Sequence, residues 1–439
     1  MKSYRILLTT IGSLGDLHPI LALGRGLQAR GHTVRIATLD RYADTVRGLG
    51  LDFAPVRSFV NLDDKAQLAR IMDLKRGSEY LIKDIVFRHI REAHADVLAA
   101  AEDVDIIGAT EIMYSAQIVA DQKKLPWFFC ALSPVSFFSS EDVSLLPLAS
   151  EWPRLPVLTN ALQRFLIQAG KTVSASWSKE WHQLRKELAL PIRPNPIAEG
   201  KFSPFFNLAL FSEVLGAPQR DWPGNTLQTG PLFYDARSAA THAPETRPSE
   251  DAPLAPGLRE FLTKGEPPLV FTLGSAAVHA PGDFYKESLK LAETLRRRAV
   301  LLVGDNTLEV SAQENIFVTD YAPFSQLFPR AACVVHQGGV GTCAQALRAG
   351  VPTLIVPYSH DQPDNAMRLE RLGTSLTLLR SRYTCERALP LLRQLLNQPR
   401  YRLQAQTIQK RLKAENGLPM ACEKIERFLL RHSHACSVL

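Results

Sequence analysis

The stretch that decides the fold reads Cys333-Val-Val-His336-Gln-Gly338-Gly339-Val-Gly341-Thr342, and a segment of helical pattern follows it as far as Gly350. A β-branched run ends at His336, the glycines allow a tight turn, and a helix is predicted to begin near Thr342. Free backbone N–H groups and the positive end of the helix dipole then converge on one point, which suits a diphosphate. His336 would add a cationic or hydrogen-bonding partner. Because no lysine follows the last glycine, the turn is not the phosphate loop of an ATPase.

A polar loop follows the next predicted strand along the chain. It reads Ser359-His-Asp361-Gln362-Pro-Asp-Asn365. Neighbouring strands of a parallel sheet end at the same edge, so this loop is expected beside the glycine turn. Carboxylate and amide groups placed side by side can accept from or donate to the vicinal hydroxyls of a sugar. Taken alone, such a loop is more often a solvated turn, and the adjacent phosphate-binding turn favours the sugar site.

Outward from this region, short aliphatic runs alternate with segments of helical period along the chain. The predicted strands are 6–10, 33–38, 105–109, 127–132, 269–273, 300–303, 333–336 and 353–356. The first predicted helix is opened by Pro19 and closes at Gly31. This alternation predicts an α/β protein built from parallel sheets with helices on both faces.

A Pro-, Ala- and Ser-rich stretch, 235–257, interrupts the pattern and is predicted to be an interdomain linker. It separates an N-terminal domain, 1–234, from a C-terminal domain, 258–415, with a last helix and tail at 416–439. Residues 141–207 are rich in Trp, Phe and Pro and show poor periodicity. They are predicted to form either an irregular lining for an apolar ligand or ordinary core filling.

The composition excludes several classes of protein. The chain has 439 residues, of which 46% are hydrophobic and 22% charged, and its net charge is +7. These values are typical of a globular protein and exclude collagen, coiled coil or disorder as descriptions of the whole. The six cysteines are scattered, so we expect reduced thiols in the cytoplasm. We expect neither a secretory signal nor a membrane-spanning segment.

The N-terminal loop Gly12-Ser-Leu-Gly15-Asp16-Leu-His18-Pro19 allows a competing enzyme class. A glycine loop after a strand, with Asp40 after the next strand, suggests an NAD-dependent dehydrogenase. However, the full G-x-G-x-x-G pattern is missing, and Asp16 would face the pyrophosphate with like charge. The dehydrogenase is therefore a remote alternative.

Taken together, these motifs resemble those of a known enzyme family. Tyr321-Ala322-Pro323, the glycine turn and His360-Asp361-Gln362 resemble the donor-binding signature of family 1 glycosyltransferases, the UDP-glycosyltransferase superfamily of GT-B fold. The resemblance extends to the N-terminal loop and to Phe271-Thr-Leu-Gly-Ser275. It implies two Rossmann-like domains facing a cleft. Within the family the chain is most similar to the bacterial branch that includes the rhamnosyltransferase of rhamnolipid synthesis, sterol glucosyltransferases and glycopeptide-antibiotic glycosyltransferases, which implies a role in glycolipid or natural-product biosynthesis.

The resemblance also implies roles for individual residues in binding the donor. His336 would contact the donor diphosphate, and Ser275 would touch the phosphates. Tyr321 and Ala322 would border the base, while Asp361 and Gln362 would hold the transferred sugar. The backbone amides would come from the glycine turn, at Gly338, Gly339, Gly341 and Thr342. A tyrosine at 321 leaves the choice between UDP and TDP, as in UDP-glucose or TDP-rhamnose, open.

The same resemblance implies a general base in the N-terminal loop. Asp16 would take the proton of the acceptor hydroxyl, and His18 is the substitute candidate. The structural alternative for Asp16 is an N-cap of the helix that Pro19 opens. In plant relatives a downstream aspartate orients a histidine base, and Glu111 is the nearest match to that aspartate in this sequence. An aspartate base does not require such an orienting residue.

The implied activity is an inverting transfer of a hexosyl or deoxyhexosyl group from a UDP- or TDP-sugar to a small lipophilic acceptor. No metal and no cofactor beyond this co-substrate is expected. A homologue that binds a nucleotide sugar or a lipid without turnover is the alternative. Two further motifs are given no metal-binding role: Asp103-Val-Asp105, predicted to be a solvated turn, and His432-Ser-His434-Ala-Cys436, at the end of the chain.

The excess positive charge is confined to the C-terminal part of the sequence. Residues 371–439 contain 13 Lys and Arg against four acids, so the first 370 residues carry a net charge of −2. No interleaving of arginine with aromatic residues indicates nucleic-acid binding. A solvated basic face is expected, with peripheral contact to an anionic membrane as the alternative. The sequence leaves the oligomeric state open.

Overall fold

A computed structural model describes residues 2–147, 156–234, 254–308 and 314–436, without the side chains of 156–160, 163 and 433–436. Most of the predicted linker, 235–253, lies outside the described residues. The two sheets of the structure fall on either side of that segment.

The first sheet contains seven strands, all paired in parallel. They are β1 (Arg5–Thr9), β2 (Thr33–Leu39), β3 (Asp52–Val56), β4 (Ile106–Ala109), β5 (Trp127–Ala131), β6 (Phe206–Ala209) and β7 (Thr226–Gln228). Their order in the sheet is β3-β2-β1-β4-β5-β6-β7. Apolar side chains cover both faces and form two separate core clusters.

Eight α-helices accompany this sheet in the described part of the chain. They are α1 (Leu14–Gln28), α2 (Ala43–Gly48), α3 (Lys65–Ile71), α4 (Gly77–Glu79), α5 (Ile90–Ala100), α6 (Tyr114–Lys123), α7 (Pro156–Ala175) and α8 (Lys179–Glu187). A π-helical segment, Tyr80–Phe87, continues from α4. The expected irregular structure of 141–207 is therefore wrong for 156–187, which forms α7 and α8.

The second sheet contains six strands, again all parallel. They are β8 (Leu269–Thr272), β9 (Ala299–Leu302), β10 (Ile316–Thr319), β11 (Cys333–His336), β12 (Thr353–Ile355) and β13 (Ser375–Thr377). Their order is β10-β9-β8-β11-β12-β13. The α-helices that follow in the chain are α9 (Pro256–Thr263), α10 (Phe284–Leu295), α11 (Phe324–Leu327), α12 (Val340–Ala349), α13 (Gln362–Arg371), α14 (Cys385–Asn397), α15 (Pro399–Lys413) and α16 (Gly417–Cys436).

The predicted class is confirmed: the protein is α/β, with two Rossmann-like parallel-sheet domains. All eight runs predicted as strands are strands in the structure. The last helix, α16, returns to the first domain, where Ala421, Cys422 and Ile425 join the core that also contains the apolar face of α1. Beside them, Glu426 binds Arg30 at 2.8 Å.

The start of α1 differs from the prediction. The helix begins at Leu14 and contains Pro19 in its interior, rather than being opened by Pro19. A capping box explains the earlier start. Ser13 is the N-cap, and the Asp16 carboxylate accepts a hydrogen bond from the Ser13 backbone N–H at 2.8 Å. The N–H groups of Ser13 and Gly15 are thereby satisfied, so the helix can begin at Leu14, five residues before the proline.

Candidate functional site

The site lies where the strand order of each sheet reverses. In the first sheet β1 and β4 lie side by side, and they lead into the Asp16 loop and into Glu111. In the second sheet β8 and β11 are neighbours, and they lead into Ser275 and the glycine turn. Ligands of open parallel sheets bind at this point, because adjacent loops there diverge to opposite faces. Residues from all four loops line one cleft of about 1070 Å³.

The glycine turn ends in the exposed N-terminus of a helix. Gly338 has φ of +89°, a conformation that glycine adopts without strain. Gly339 is the N-cap of α12, and no side chain caps this end. A Cβ added at Gly341 would meet no heavy atom of the described residues within 4 Å. The first turn of α12 thus offers uncapped N–H groups and open space, which suits a phosphate group.

His336 lies beneath this turn rather than on the cleft surface. The side chain is fully buried, and its Nδ1 accepts a hydrogen bond from the Gly338 N–H at 3.0 Å. Burial lowers the pKa of His336 to about 3, so the ring is neutral and carries its proton on Nε2. Nε2 has no hydrogen-bond partner among the described residues. The lowered pKa argues against a cationic role for His336, and its expected contact with the donor diphosphate stays a prediction.

The polar loop after β12 brings Asp361 and Gln362 to the cleft, beside the glycine turn. Asn365 links the two features, since its side-chain amide donates to Asp361 Oδ2 at 2.7 Å and to the Gly338 carbonyl at 3.0 Å. The side-chain oxygen of Gln362, Oε1, accepts a hydrogen bond from the Tyr358 N–H at 2.8 Å. The side-chain nitrogen of Gln362 is thereby left for a ligand. Burial, with a smaller contribution from the negative charge of Asp16, raises the pKa of Asp361 to about 7.

His360 belongs to the same loop, and the sequence alone predicts no role for it. It lines the cleft in a left-handed conformation, with φ of +57°. Its Nδ1 lies 3.1 Å from the hydroxyl of Ser78, which belongs to the other domain. Backbone strain of this kind persists where the surroundings determine it, and no sequence signal marked the contact between the domains.

Asp16 faces the cleft from the first turn of α1. Its carboxylate accepts from the Ser13 N–H at 2.8 Å and from the Ser13 hydroxyl at 3.1 Å. Burial raises the pKa of Asp16 to about 6, against the hydrogen bonds from Ser13, and the charge of Glu111 raises it further. The structural alternative, in which Asp16 is the N-cap of α1, is wrong in detail. Ser13 is the N-cap, and Asp16 is the third residue of the helix, whose side chain completes the capping box.

His18 and Glu111 also line the cleft but make other contacts. The His18 ring packs edge-on against Tyr234, with ring centroids 5.2 Å apart. Glu111 accepts a short hydrogen bond from the Ser136 hydroxyl, and its other oxygen lies 3.7 Å from Lys201 Nζ. The negative charge of Glu111 adds a small contribution to the burial that raises the pKa of Asp16.

The remaining predicted donor residues fall into two groups. Ser275 and Tyr321 line the cleft, as do Gly339, Gly341 and Thr342 of the glycine turn. The Ser275 hydroxyl accepts from the Leu14 N–H at 3.1 Å and so joins the two domains. The side chain of Ala322 packs in the core of the second domain, so that this residue can face a ligand only through its backbone.

The side of the cleft formed by the first domain is strongly apolar. Its lining comes from 56–90, from α7 and from the segment that follows it. The apolar side chains include Phe59, Val60, Leu68, Ile71, Met72, Leu81, Ile82, Ile85, Ile167, Val173, Trp177 and Ile197. The expectation that 141–207 lines an apolar site is thus supported for α7, although the lining is helical.

A buried charge network joins the domains beside this site. Arg368 of α13 donates to Asp364 at 2.8 Å and to the Leu215 carbonyl at 2.9 Å, and it forms a short ion pair with Asp142 of the first domain. Asp364 also accepts from the Leu145 N–H at 2.8 Å. These residues belong to the helix that begins with Gln362, so the network fixes the sugar-binding loop relative to the first domain.

Two absences complete the description. Within the described ranges, no group of three or more His, Cys, Asp or Glu side chains is arranged to hold a metal ion. Asp103 and Asp105 form an exposed turn, where Asp105 accepts from the Arg5 N–H at 2.7 Å, as predicted. The side chains of His434 and Cys436 lie outside the described residues. None of the helices in the described part of the chain is long and apolar enough to span a membrane.

Comparison with known proteins identifies both halves of the chain. Residues 6–136 match the model of the glycosyltransferase family 28 N-terminal domain, and 299–425 match the C-terminal domain of proteins like the erythromycin biosynthesis protein CIII. The chain is 29% identical over 438 residues to O-mycaminosyltylonolide 6-deoxyallosyltransferase of Streptomyces fradiae, covering 97% of each chain. It is 26% identical to a sterol 3-beta-glucosyltransferase of Pichia angusta, of which it spans 33%.

Solved structures agree with the fold. The calicheamicin glycosyltransferase CalG4 superposes with a TM-score of 0.69 at 15% identity, covering 98% of this chain and 99% of that one. The glycosyltransferase VinC, solved in complex with DTDP, superposes with a TM-score of 0.64 at 20% identity, covering 97% and 100%.

Two Rossmann-like domains with one cleft between the switch points of their sheets give the protein the GT-B fold. The two family models and the curated relatives support a family 1 glycosyltransferase of this fold. They place the chain among enzymes that transfer sugars rather than among dehydrogenases.

Proposed function

We propose that the protein transfers a hexosyl or deoxyhexosyl group from a UDP- or TDP-sugar to a hydroxyl of a small lipophilic acceptor, with inversion at the anomeric carbon. The observation that carries the proposal is that Asp16 and Asp361, one from each domain, face the same cleft between an uncapped helix end and an apolar chamber.

The second domain supplies the groups that would bind the donor. Uncapped N–H groups at the start of α12 would donate hydrogen bonds to the negatively charged diphosphate. The Nε2–H of His336, buried beneath the turn, would be a further donor from below. Asp361 and the amide nitrogen of Gln362 would hold hydroxyls of the sugar. Since these groups are fixed by backbone and side-chain hydrogen bonds before the donor arrives, they need little rearrangement during transfer. Solved neighbours hold thymidine diphosphate, which supports a TDP- or UDP-linked donor.

Asp16 would act as the general base. Its carboxylate would take the proton of the acceptor hydroxyl as that oxygen forms a bond to the anomeric carbon. As this bond forms, the bond from the anomeric carbon to the diphosphate breaks on the opposite face, and the nucleoside diphosphate leaves with the electron pair. Burial places the pKa of Asp16 at about 6, close to the pH at which a base is most effective. His18 is the substitute candidate, although its ring packs against Tyr234.

The apolar chamber supports a lipophilic acceptor. Burial of apolar surface contributes roughly 25 cal/mol per Å², so a hydrophobic acceptor would gain most of its affinity from the side chains of 56–90 and α7. Relatives named O-mycaminosyltylonolide 6-deoxyallosyltransferase and sterol 3-beta-glucosyltransferase support an acceptor of this general kind. No metal or cofactor is proposed, because α12 and His336 provide groups for the leaving diphosphate.

The experiment that tests the proposal is a thermal-shift titration with UDP, TDP and their sugars. A ligand at about 100 times its Kd stabilises the folded state by roughly 2.7 kcal/mol. We expect a shift with UDP or TDP that is reduced in His336→Ala. His94→Ala is the matched control, because His94 is also buried but binds Gln122 at 2.7 Å, away from the donor site. Unchanged nucleotide affinity in His336→Ala would contradict the proposed donor site.

A further inference from the structure

Lys201 is an unusual residue in an otherwise apolar part of the cleft. It follows α8 in a short turn, its side chain is 4% exposed, and it lines the cleft together with Glu111 and Ser136. Three aromatic rings surround its ammonium group, with centroids 4.7 Å (Phe138), 5.6 Å (Phe202) and 5.9 Å (Phe129) from Nζ.

The contacts of Lys201 are poor for a buried cation. An ammonium group has three donors, yet among the described residues the nearest carboxylate oxygen, on Glu111, lies 3.7 Å away, beyond a normal hydrogen bond. The other Glu111 oxygen is already engaged by Ser136. Lys171 and Glu199, the next charged groups, are paired with each other at 2.8 Å. Buried cations in proteins normally satisfy their donors, so the geometry favours a ligand oxygen at Lys201.

We infer that Lys201 and Glu111 form an acceptor subsite that recognises an uncharged oxygen, a carbonyl or hydroxyl, remote from the hydroxyl that receives the sugar. The inference rests on the proposed function, since it names a property of the same acceptor. Charge balance determines the class of ligand. A carboxylate at Lys201 would be repelled by Glu111, and a cation would be repelled by Lys201, whereas an uncharged oxygen accepts from the ammonium without either cost.

The test uses three rigid bicyclic fragments that share one skeleton: 2-decalone, decalin-2-carboxylate and decalin itself. Binding to the full-length protein is measured by ligand-observed NMR titration, which requires neither donor nor turnover. We expect 2-decalone to bind more tightly than either of the other fragments. Lys201→Met, which keeps an unbranched side chain one atom shorter than lysine and removes the ammonium group, should weaken 2-decalone about tenfold and leave decalin unchanged. Crystals soaked with 2-decalone should show its oxygen beside Lys201 Nζ.

Two further variants keep the test decisive. Lys171→Met removes a neighbouring cation of the cleft that already has a carboxylate at 2.8 Å, and it should weaken 2-decalone binding much less than Lys201→Met does. Glu111→Gln retains Lys201 and removes the repulsion, so decalin-2-carboxylate should bind more tightly to it than to the wild type. This variant also decides the matter if Lys201→Met does not fold.

The inference is overturned if no fragment binds, if the carboxylate binds the wild type as tightly as the ketone, or if Lys201→Met retains 2-decalone affinity. Nucleotide titration of the same samples reports on the donor site separately. Loss of UDP and TDP binding with intact fragment binding would count against the proposed function alone.

Discussion

Replacing Arg368 by methionine tests whether the charge network between the domains holds the cleft together. The Arg368 side chain is 4% exposed and that of Asp364 is 1% exposed, so the substitution leaves a buried carboxylate without its cation. Breaking a buried ion pair in this way typically costs about 3–5 kcal/mol. Because Asp364 keeps the hydrogen bond from the Leu145 N–H, we expect the lower end of that range, about 3 kcal/mol.

The assay is urea denaturation of wild type and variants, followed by circular dichroism and by intrinsic fluorescence. Arg371→Met is the matched control, because Arg371 contacts Asp142 at 3.3 Å with a side chain that is 51% exposed. An exposed pair of this kind contributes about 0–1 kcal/mol. The double variant Asp364→Asn, Arg368→Met removes the unpaired charge and should recover part of the lost stability.

A functional readout accompanies the stability measurement. Since Arg368 lies on the helix that begins with the sugar-binding Gln362 and does not line the cleft, its loss should raise the KM for the nucleotide sugar more than the Kd for the nucleoside diphosphate, which α12 binds. Equal stability of Arg368→Met and Arg371→Met, within about 0.5 kcal/mol, would refute the argument that this network is a buried, cooperative contact.

Three further predictions concern the base, the glycine turn and the basic C-terminal region. With saturating donor, acceptor kcat/KM should fall roughly tenfold from about pH 7 to about pH 5, because Asp16 with a pKa of about 6 becomes protonated; a flat profile over this range contradicts the assignment. Gly341→Val should leave the melting temperature nearly unchanged and weaken nucleotide binding at least about tenfold, since the added side chain enters open space at the start of α12; unchanged affinity in a titration of UDP and TDP would count against that site. If residues 371–439 contact an anionic membrane, the protein should sediment with anionic vesicles at low salt and be released by salt, and a failure to sediment would dispose of that contact.

Much of the fold could be predicted from the sequence because the central strands carry the strongest pattern. Runs such as 333–336 are buried on both faces, so each reads as a continuous apolar segment. The strands that were missed are β3, β6, β7, β10 and β13, which are short or lie at or next to a sheet edge. Pro55 inside β3 also weakened its pattern, although proline is tolerated in an edge strand.

The site was predictable to the extent that its residues follow strands in one stretch of sequence. The residue types of the glycine turn and of the Asp361 loop each predict a ligand-binding role, and the two segments lie side by side in the structure. The depth of His336 could not be predicted, since burial depends on how the turn covers the ring. Lys201, His360 and Arg368 act through partners that are distant in sequence, which no local pattern records.

The central claim is that Asp16 is the base of a glycosyl transfer, and the Asp16→Asn variant tests it most directly. The carboxamide keeps the shape and can still accept from Ser13, but it cannot take a proton. Transfer from the UDP- or TDP-sugar found by titration, measured as acceptor-dependent release of nucleoside diphosphate, should fall by about 10²–10⁴-fold. Nucleotide affinity should stay within about twofold of the wild type. Wild-type turnover in Asp16→Asn would contradict the account, and its loss in His18→Gln instead would assign the proton transfer to His18.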